Sequence, residues 1–399
     1  MSIKSLLIGS AAALVAVSGA RAADAIVMPE PEPVEYVRVC DMYGAGFFYI
    51  PGTETCLAVS GKVWFQIAAS SQDVGDTGAT VNWNGFAAAR QFYGTNVEAD
   101  VQFDARSETE WGTLRGYVRL RASWDPQNQV LGSTLTNILG VVPVPPGILN
   151  STSRFGTDGN VALDQAFLSL GGLRMGYTES AWADTMNGGA SSWGSHTWGG
   201  LYYGYQQRHV VQYSFTGGNG LFATLSLEDD GNVNWMPDIV AVAGVNQGWG
   251  AVWVKGAYDE DISTSGFLVG ERAAALSGVD GWAASAGVQI NVPNMEGSSF
   301  RLLGFYANNC NAYAISTLNT CANWSVLGSY YHTFSPTFAA SVGAQYFDAF
   351  AGLPNQWSGE LALIWTPVTN FEVRTELNYD KAQGLGGTGS GFLRFTRYF

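Results

Sequence analysis

Segments of strand length in which polar and apolar side chains alternate recur along this chain, and they constrain its fold more than any other feature. In the last nine residues, Gly391–Phe399, one side of a two-residue repeat carries Leu393, Phe395 and Phe399, and the other carries Arg394, Thr396 and Tyr398. A strand of about 9–11 residues can cross an outer membrane, with apolar side chains toward lipid and polar ones toward the lumen. Arg397 departs from the apolar face, at a position expected at the water-facing rim. The segment therefore predicts the closing strand of a transmembrane β-barrel.

Alternation bounded by turn residues marks 16 candidate strands between residues 57 and 399. They are 57–70, 90–106, 112–123, 161–170, 172–178, 207–216, 221–228, 249–259, 263–273, 281–292, 299–309, 323–334, 338–350, 357–367, 371–383 and 391–399. Segments 161–170 and 263–273 alternate weakly, so the number is about 16, to within about two strands.

The connections between these strands also alternate, in length. Four are short, and the connections between them are mostly longer: 217–220, 293–298, 335–337 and 369–370 against 229–248, 310–322, 351–356 and 384–390. Bacterial barrels have short periplasmic turns and longer external loops. A soluble β-sandwich also joins short strands by short turns, but its outward face is polar. We therefore predict an all-β fold, a transmembrane antiparallel β-barrel of about 16 strands over residues 57–399.

The N-terminal region has the organisation of a secretory signal. Lys4 precedes an apolar run over 6–17, and Ala20–Ala22 forms a small-residue cleavage site. Residues 1–22 are therefore expected to be a cleaved signal peptide. Residues 23–56, which begin rich in Pro and Glu, are expected to form a periplasmic or rim segment.

Four cysteines in an exported chain indicate disulfides, and four allow three connectivities. Proximity in sequence favours Cys40–Cys56 and Cys310–Cys321. Metal binding is the alternative, although neither pair has the C-x-x-C spacing and histidine is scarce.

The charged fraction and the net charge of the chain limit the classes of molecule that it can bind. Only 13% of residues are charged, about half the fraction usual in soluble proteins, and the net charge is −14. This balance disfavours nucleic acid as a partner, since its binding depends on neutralising phosphates. The low charge suits a surface that contacts outer-membrane lipid.

A row of arginines gives the sharpest local signal. Arg115, Arg119 and Arg121 share one face of a candidate strand over about 20 Å. The neighbouring strand carries three acids on its inward face: Glu98, Asp100 and Asp104. Three further cations have inward parity: Lys62, Arg208 and Arg374. The arginines could be structural salt-bridge partners of the acids, or a basic wall that selects among solutes, and both roles can coexist. We interpret these cations as a pore wall.

The connection 178–206, the third external loop, is too aromatic to suggest disorder. Its tryptophans, Trp193 and Trp198 among them, require burial, and the lumen is the available cavity. Folded inward, the loop would narrow the pore and turn Glu179 and Asp184 toward the arginine wall. Packing over the mouth of the barrel is the alternative.

Catalysis and cofactors are not indicated. The three histidines, His196, His209 and His332, form no ligand set, and adjacency of Ser195 and His196 does not make a catalytic pair. We expect no enzyme activity, no cofactor and no metal.

Several stretches resemble the alphaproteobacterial porin family: 31–41, 49–57 with its cysteine, 112–117 and the terminal 394–399. The resemblance runs over the mature chain. It implies a 16-stranded homotrimeric barrel whose third loop folds into the lumen and which passes small hydrophilic solutes by diffusion. The Cys310–Cys321 loop is an addition to that pattern, and the third loop is poor in acids, so ion selectivity is not carried over.

The predicted function is a passive diffusion channel for small hydrophilic solutes and ions across the outer membrane. A barrel of 16–18 strands leaves a water channel, and the inward positions here are polar, small or charged. Two alternatives stay open. One is a substrate-specific porin, in which Trp193 and Trp198 stack a sugar, and the other is a structural or adhesive barrel with a filled lumen.

Overall fold

The computed structural model describes residues 38–72, 91–124, 161–183, 194–197, 201–229, 236–260, 280–317, 320–350 and 352–399. Cys40–Phe399 forms one compact unit and Met1–Val39 another, of which only residues 38 and 39 are described. Within the described ranges the chain is almost entirely β. The strands are β1 (Phe47–Tyr49), β2 (Cys56–Gln72), β3 (Gln91–Thr109), β4 (Gly112–Trp124), β5 (Val161–Leu170), β6 (Leu173–Glu179), β7 (Gln207–Thr216), β8 (Leu221–Asp229), β9 (Asp238–Gln247), β10 (Gly250–Asp259), β11 (Gly281–Asn291), β12 (Ser299–Ala307), β13 (Ala322–Ser335), β14 (Phe338–Ala349), β15 (Gln356–Val368), β16 (Phe371–Ala382) and β17 (Gly387–Tyr398). Two short 3-10 turns, Asp41–Tyr43 and Gly218–Gly220, accompany them.

Strands β2–β17 form a closed antiparallel barrel of 16 strands, as predicted. Closure occurs between the last strand and β2, where Gly61 and Phe399 exchange two backbone hydrogen bonds of 3.0 Å. A closed barrel leaves no backbone group unpaired toward lipid. Arg394 and Thr396 are buried on the inner side, whereas Phe399 is half exposed, which confirms the predicted parity of the closing strand.

The connections alternate strictly in length along the barrel. The short ones are 110–111, 171–172, 217–220, 248–249, 292–298, 336–337 and 369–370, and they lie at what we call the short-turn end. Three of these turns contain an asparagine with positive φ, Asn219, Asn294 and Asn370. Asparagine tolerates this left-handed conformation better than most residues, so the sequence suits tight turns there. The opposite end of the barrel is the long-loop end.

One barrel strand, β9, was not predicted from the sequence. Strand β9 lies within the expected connection 229–248, while the expected strand 263–273 lies outside the described residues and β10 pairs directly with β11. The two discrepancies cancel in the count. Val240 and Val242 face inward yet are buried, at 0% and 8% exposure, because apolar loop residues cover them. With apolar side chains on both faces, the strand does not alternate.

Both disulfides are present as predicted, Cys40–Cys56 and Cys310–Cys321. The first lies beside β1, which pairs with β2 through Phe47 opposite Ala58. β1 therefore occupies the edge of β2 just beyond Phe399, where the closing strand ends. Covering an exposed strand edge in this way prevents unwanted pairing.

The outward surface carries exposed apolar side chains on every side described, with aromatic pairs concentrated on one side. Three cross-strand ring pairs lie at the long-loop end of β11–β16: Trp282–Tyr306, Trp324–Tyr346 and Trp357–Tyr379. Aromatic girdles of this kind lie at membrane–water interfaces. In the part of the chain that is described, no helix is long and apolar enough to cross a membrane.

Candidate pore-lining site

A row of paired charges lies on the inner side of β3 and β4. Arg115 donates hydrogen bonds to both carboxylate oxygens of Asp104, each at 2.9 Å. Arg106 reaches the same carboxylate, with its Nη2 2.6 Å from Oδ2. Two guanidiniums thus share one carboxylate, and Glu108 follows at the next inward position of β3.

A β-bulge in β5 brings a carboxylate to the middle of the row. The register shifts between Arg119 and Leu120, so Asp164 stands opposite no residue of β4. A bulge places two residues against one and can turn neighbouring side chains to the same side. Asp164 accepts a hydrogen bond from Arg119 and has its Oδ1 3.0 Å from the Nη1 of Arg121. The bulge also explains the weak alternation of segment 161–170, because Asp164 and Gln165 both face inward.

The acids of β3 also bind cations and donors of β2. The Nζ of Lys62 is 3.3 Å from Asp100, and the indole Nε1 of Trp64 donates to Glu98 at 3.0 Å. On the other side, the Nε of Arg121 is 3.5 Å from the Oε1 of Glu98. The row is therefore a network across β2–β5 and not a series of isolated pairs.

The two remaining predicted cations are paired as well. Arg374 is 2.8 Å from Glu372 and 3.2 Å from Glu376, and Arg208 donates to the side chain of Gln206 at 2.8 Å. All six predicted cations thus have polar partners, and their role in permeation stays a prediction.

Exposure differs sharply around the inner wall. The side chains of Arg115, Arg119 and Arg121 are 21%, 16% and 20% exposed. Three inward acids on β8–β10 are at most 1% exposed: Glu228, Asp238 and Asp259. Glu98 and Asp100, the acids beside the arginines, are as buried as those of β8–β10, so solvent reaches the arginine side chains of β4 rather than their carboxylate partners.

Part of the third loop is bound to β15. The carboxylate of Glu360 accepts hydrogen bonds from the hydroxyls of Ser195 and Thr197 and from the backbone N–H of Leu201, the first and last at 3.1 Å. Hydrogen bonds to a charged acceptor are stronger than neutral ones. Glu360 is buried, and all three donors bind its Oε2, whereas its Oε1 has no hydrogen-bond partner among the described residues.

Strand β14 binds the same loop through an amide. Gln345 accepts from the N–H of Tyr202 at 2.8 Å and donates to its carbonyl at 2.7 Å. This double contact resembles a strand pairing made by a side chain, and it fixes the backbone of the loop at Tyr202.

His196 binds the inner wall between β12 and β13. Its Nδ1 lies 2.8 Å from the Ser329 hydroxyl and its Nε2 lies 2.9 Å from the Ser299 hydroxyl. Arg301 donates to the carbonyl of Ser195 at 2.6 Å. Burial and the nearby Arg301 lower the pKa of His196 to about 3, so the ring is neutral at physiological pH. Ser195 and His196 bond to different partners, which offers no support for a catalytic pair.

The start of the third loop packs on the other side of the barrel. The N–H of Ala181 donates to Glu228 at 2.9 Å, and the Nζ of Lys255 donates to the carbonyl of Trp182 at 2.8 Å. Trp182 is buried, with its ring 5.9 Å from that of Tyr313. Sequence reasoning found that this loop needs burial but did not find the wall residues that bind it.

The sixth external loop, residues 308–321, carries Tyr313. The Tyr313 hydroxyl lies 2.9 Å from Asp238 and 3.3 Å from Glu228, and the N–H of Ala312 donates to Asp259 at 2.8 Å. Burial and these carboxylates raise the pKa of Tyr313, which keeps its hydroxyl protonated as a donor. The inward acids of β8–β10 are therefore satisfied by loop donors.

The predicted acidic side of the third loop is only partly described. Asp184, Trp193 and Trp198 lie outside the described residues. Glu179 accepts from the amide of Gln165 at 3.4 Å. Burial, Glu179 and then Asp164 raise the pKa of Tyr205, which indicates that these two carboxylates lie near its hydroxyl.

Two features of the site, the bulge in β5 and the buried acid Glu360, carry a signal in the sequence. The break in alternation at residues 164–165 marks the bulge, and the inward parity of Glu360 marks a buried acid. Within the described ranges, no group of three or more His, Cys, Asp or Glu residues is arranged to hold a metal ion.

Comparison with known proteins identifies the family. A model of the porin subfamily matches residues 24–389. The chain belongs to this porin subfamily. The porin is 39% identical over 277 residues to porin Omp2a of Brucella ovis, covering 66% of this chain and 72% of that protein. It is 37% identical over 282 residues to porin Omp2b of Brucella suis, covering 66% and 67%.

Solved structures agree on the fold of the porin. The outer membrane channel DcaP of Acinetobacter baumannii superimposes with a TM-score of 0.60 at 12% identity, covering 88% of this chain and 99% of that one. An anion-selective porin from Comamonas acidovorans gives 0.54 at 11% identity, covering 87% and 100%. The porin is therefore an outer-membrane β-barrel and a general diffusion channel, as predicted. Family membership implies a channel rather than an enzyme.

Proposed function

We propose that solutes cross the porin through the part of the lumen next to β2–β5, along the wall formed by Arg115, Arg119 and Arg121. The observation that carries this proposal is the exposure of the three arginines, since the cation on β10, Lys255, is buried against the third loop. Water-filled passages in porins are lined by charged side chains that select among solutes.

The third loop narrows this passage. It leaves the wall at β6, and its Ser195 contacts Glu360 on β15. Around the closed barrel, β15 is the seventh strand from β6 in the direction through β2 and β17, and the ninth in the opposite direction. The two strands therefore lie on nearly opposite sides of the barrel. These two attachment points support a third loop that folds across the lumen. We infer that Glu179 and Asp184 line the opening on the side facing the arginines.

Selectivity of the passage should be weak. The network of β2–β5 contains five cations and four carboxylates, counting Lys62 and Arg106 with the three arginines, against Glu98, Asp100, Asp104 and Asp164. Glu179 and Asp184, which we place at the opening, raise the carboxylates to six, and this nearly balanced charge favours a general pore with weak selectivity.

Sugar-specific binding is the second candidate. The tryptophans expected to stack a sugar, Trp193 and Trp198, lie outside the described residues, and Trp182 of the same loop is buried against Tyr313. A structural or adhesive barrel with a filled lumen is less favoured, because the arginine side chains are accessible.

We also propose that the porin forms a homotrimer through the outer face of β2–β6. Three aromatic pairs lie at the long-loop end of β11–β16, whereas on β2–β4 the outward positions there include Ile67, Ala69, Val97 and Ala99, with a single exposed tryptophan, Trp124, opposite Val97. Aromatic belts mark contact with the membrane interface, and smaller side chains suit contact with another barrel. Cross-linking of native membranes should give a trimer.

The proposed domain boundaries concern the N-terminal region. Residues 1–22 are proposed as signal peptide and 23–56 as a rim segment on the periplasmic side. Arg106 lies 4.9 Å from the ring of Phe47, which supports packing of this segment at the short-turn end. N-terminal sequencing of protein from outer membranes should begin near Ala23.

Planar-bilayer recording separates the candidate functions. A general pore gives a conductance that rises linearly with salt and does not saturate with any sugar. A sugar-specific porin shows current block that saturates with its sugar. A filled barrel gives no conductance, and that result would refute the proposed pore.

A further inference from the structure

We propose that the sixth loop, closed by the Cys310–Cys321 disulfide, is a second constriction that sets the size limit and ion preference of the pore. The proposal rests on the diffusion-pore function argued above. It assigns a role to a loop that the family resemblance leaves unexplained.

The sixth loop has a defined backbone. Its second half folds back on itself, with Ser316 bridged to Cys321 and the N–H of Thr317 donating to the carbonyl of Thr320 at 2.7 Å. The N–H of Ala322 donates to the carbonyl of Ile315 at 2.9 Å. The disulfide joins the two ends of the loop, so it restricts the conformations in which the loop could leave the lumen.

The loop reaches along half of the barrel's circumference at the long-loop end, where its contacts lie in the first or last two residues of each strand. At one end, Tyr313 and Ala312 donate to the acids of β8–β10. At the other end, the hydroxyl of Thr317 donates to Gln356 on β15 at 2.8 Å. Strands β8 to β15 are 8 of the 16 barrel strands. Everything the loop covers lies opposite the arginine wall.

The sixth loop also supports the third loop. Tyr313 packs edge-on against Trp182. Gly204 of the third loop, with φ of +82°, lies between Trp182 and Ile315 of the sixth loop. A Cβ on Gly204 would come within 2.7 Å of the Trp182 indole and 3.2 Å of Ile315. Only glycine suits both this conformation and this space. Release of the sixth loop would therefore remove packing from the third.

Movement of the sixth loop out of the lumen would change the charge exposed in the pore as well as the width of the pore. Glu228, Asp238 and Asp259 are buried beneath it and are satisfied by its donors or by those of the third loop. If the sixth loop moves away, these carboxylates face the water of the lumen. The pore should then become both wider and more favourable to cations.

Selective reduction of the disulfide tests the proposal. Wild-type protein and the double variants C40S/C56S and C310S/C321S are reconstituted in planar bilayers, with and without reductant, and probed with neutral polymers of graded size. Reductant should raise conductance roughly 1.5- to 2-fold in wild type and C40S/C56S, since the loop spans half of the circumference at the mouth of a water-filled barrel. C310S/C321S should have the larger conductance from the start and should not respond. Polymers excluded by the oxidised pore should enter the reduced one, and the reversal potential should move toward cations.

The possible outcomes distinguish a failure of the sixth-loop proposal from a failure of the pore function. Unchanged or lower conductance after reduction of C40S/C56S, with loss of the disulfide verified by mass spectrometry, overturns the role of the sixth loop. Absence of conductance in oxidised wild type overturns the pore function itself. If C310S/C321S does not fold, the response of C40S/C56S to reductant is sufficient. Tyr313→Phe, which removes one hydroxyl, should give a smaller rise in the same direction, and no rise would count against the proposal.

Discussion

Replacement of Asp164 by Asn removes the carboxylate that lies between Arg119 and Arg121. An ion passing about 7 Å from that charge gains or loses about 0.6 kcal/mol in water, and screening at about 0.1 M salt halves this. Because the shift is opposite for potassium and chloride, their permeability ratio should change about threefold toward chloride. In a tenfold salt gradient, a pore without selectivity would shift its reversal potential by about 20 mV.

The assay is the reversal potential of single reconstituted channels. Glu296→Gln is the matched control, because it removes the same charge from an exposed position in the turn 292–298. We expect no measurable shift for that control, since the charge is screened by solvent. An equal reversal potential for wild type and Asp164→Asn would mean that ions do not pass along this wall. A shift toward potassium would refute the electrostatic reasoning itself.

Three further predictions concern the wall and the third loop. Simultaneous replacement of Arg115, Arg119 and Arg121 by Ala should move the reversal potential toward cations, because four carboxylates of the network then outnumber its two remaining cations. Glu360→Gln should increase current fluctuations in single-channel records, because the amide accepts through one oxygen only and can turn its NH2 group toward the three loop donors. Acid should have a similar effect through His196, whose pKa is about 3 in the folded protein and 6.5 in an unfolded chain. The unfolded state binds a proton that the folded state does not, so loop attachment is strongest above pH 6.5 and weakens as the pH falls from 6.5 toward 3, by about 2 kcal/mol at pH 5.

Control variants test whether the predicted effects come from the arginines, His196 and Glu360 themselves. Arg397→Ala removes a cation from the exposed short-turn end and should leave the reversal potential unchanged. His196→Gln has no titrating ring and should lose the increase in fluctuations between pH 6.5 and 5. If Glu360→Gln records match wild type, the bonds to Ser195, Thr197 and Leu201 do not hold the third loop in place.

The strands that alternate were predictable because each has lipid on one side and lumen on the other. β2 and β17 show this pattern clearly. Sequence alternation fails where this contrast fails, and β9 is the example: Val240 and Val242 face a lumen that loops have made apolar. The cysteine pairs were predictable from proximity, since only 16 and 11 residues separate their members.

The contacts of the loops were not predictable from the sequence. Ser195 and Glu360 are 165 residues apart, and Tyr202 and Gln345 are 143 apart. A donor in a loop and an acceptor on a distant strand carry no shared local signal. Asp164 was missed for a different reason: the two-residue rule assigns only one of two neighbouring residues to the lumen, and a bulge turns both inward.

The shortness of β6 bears on how the barrel sits in a bilayer. Its 7 residues, at about 3.4 Å each and a tilt of about 40°, rise about 18 Å along the membrane normal. The apolar band of an outer-membrane barrel is about 25 Å tall, so lipid beside β6 would have to thin. By the same arithmetic, the 17 residues of β2 rise about 44 Å. Hydrophobic mismatch is thus concentrated on one side of the barrel, and covering that side with a second copy would relieve it without requiring any specific bond between subunits.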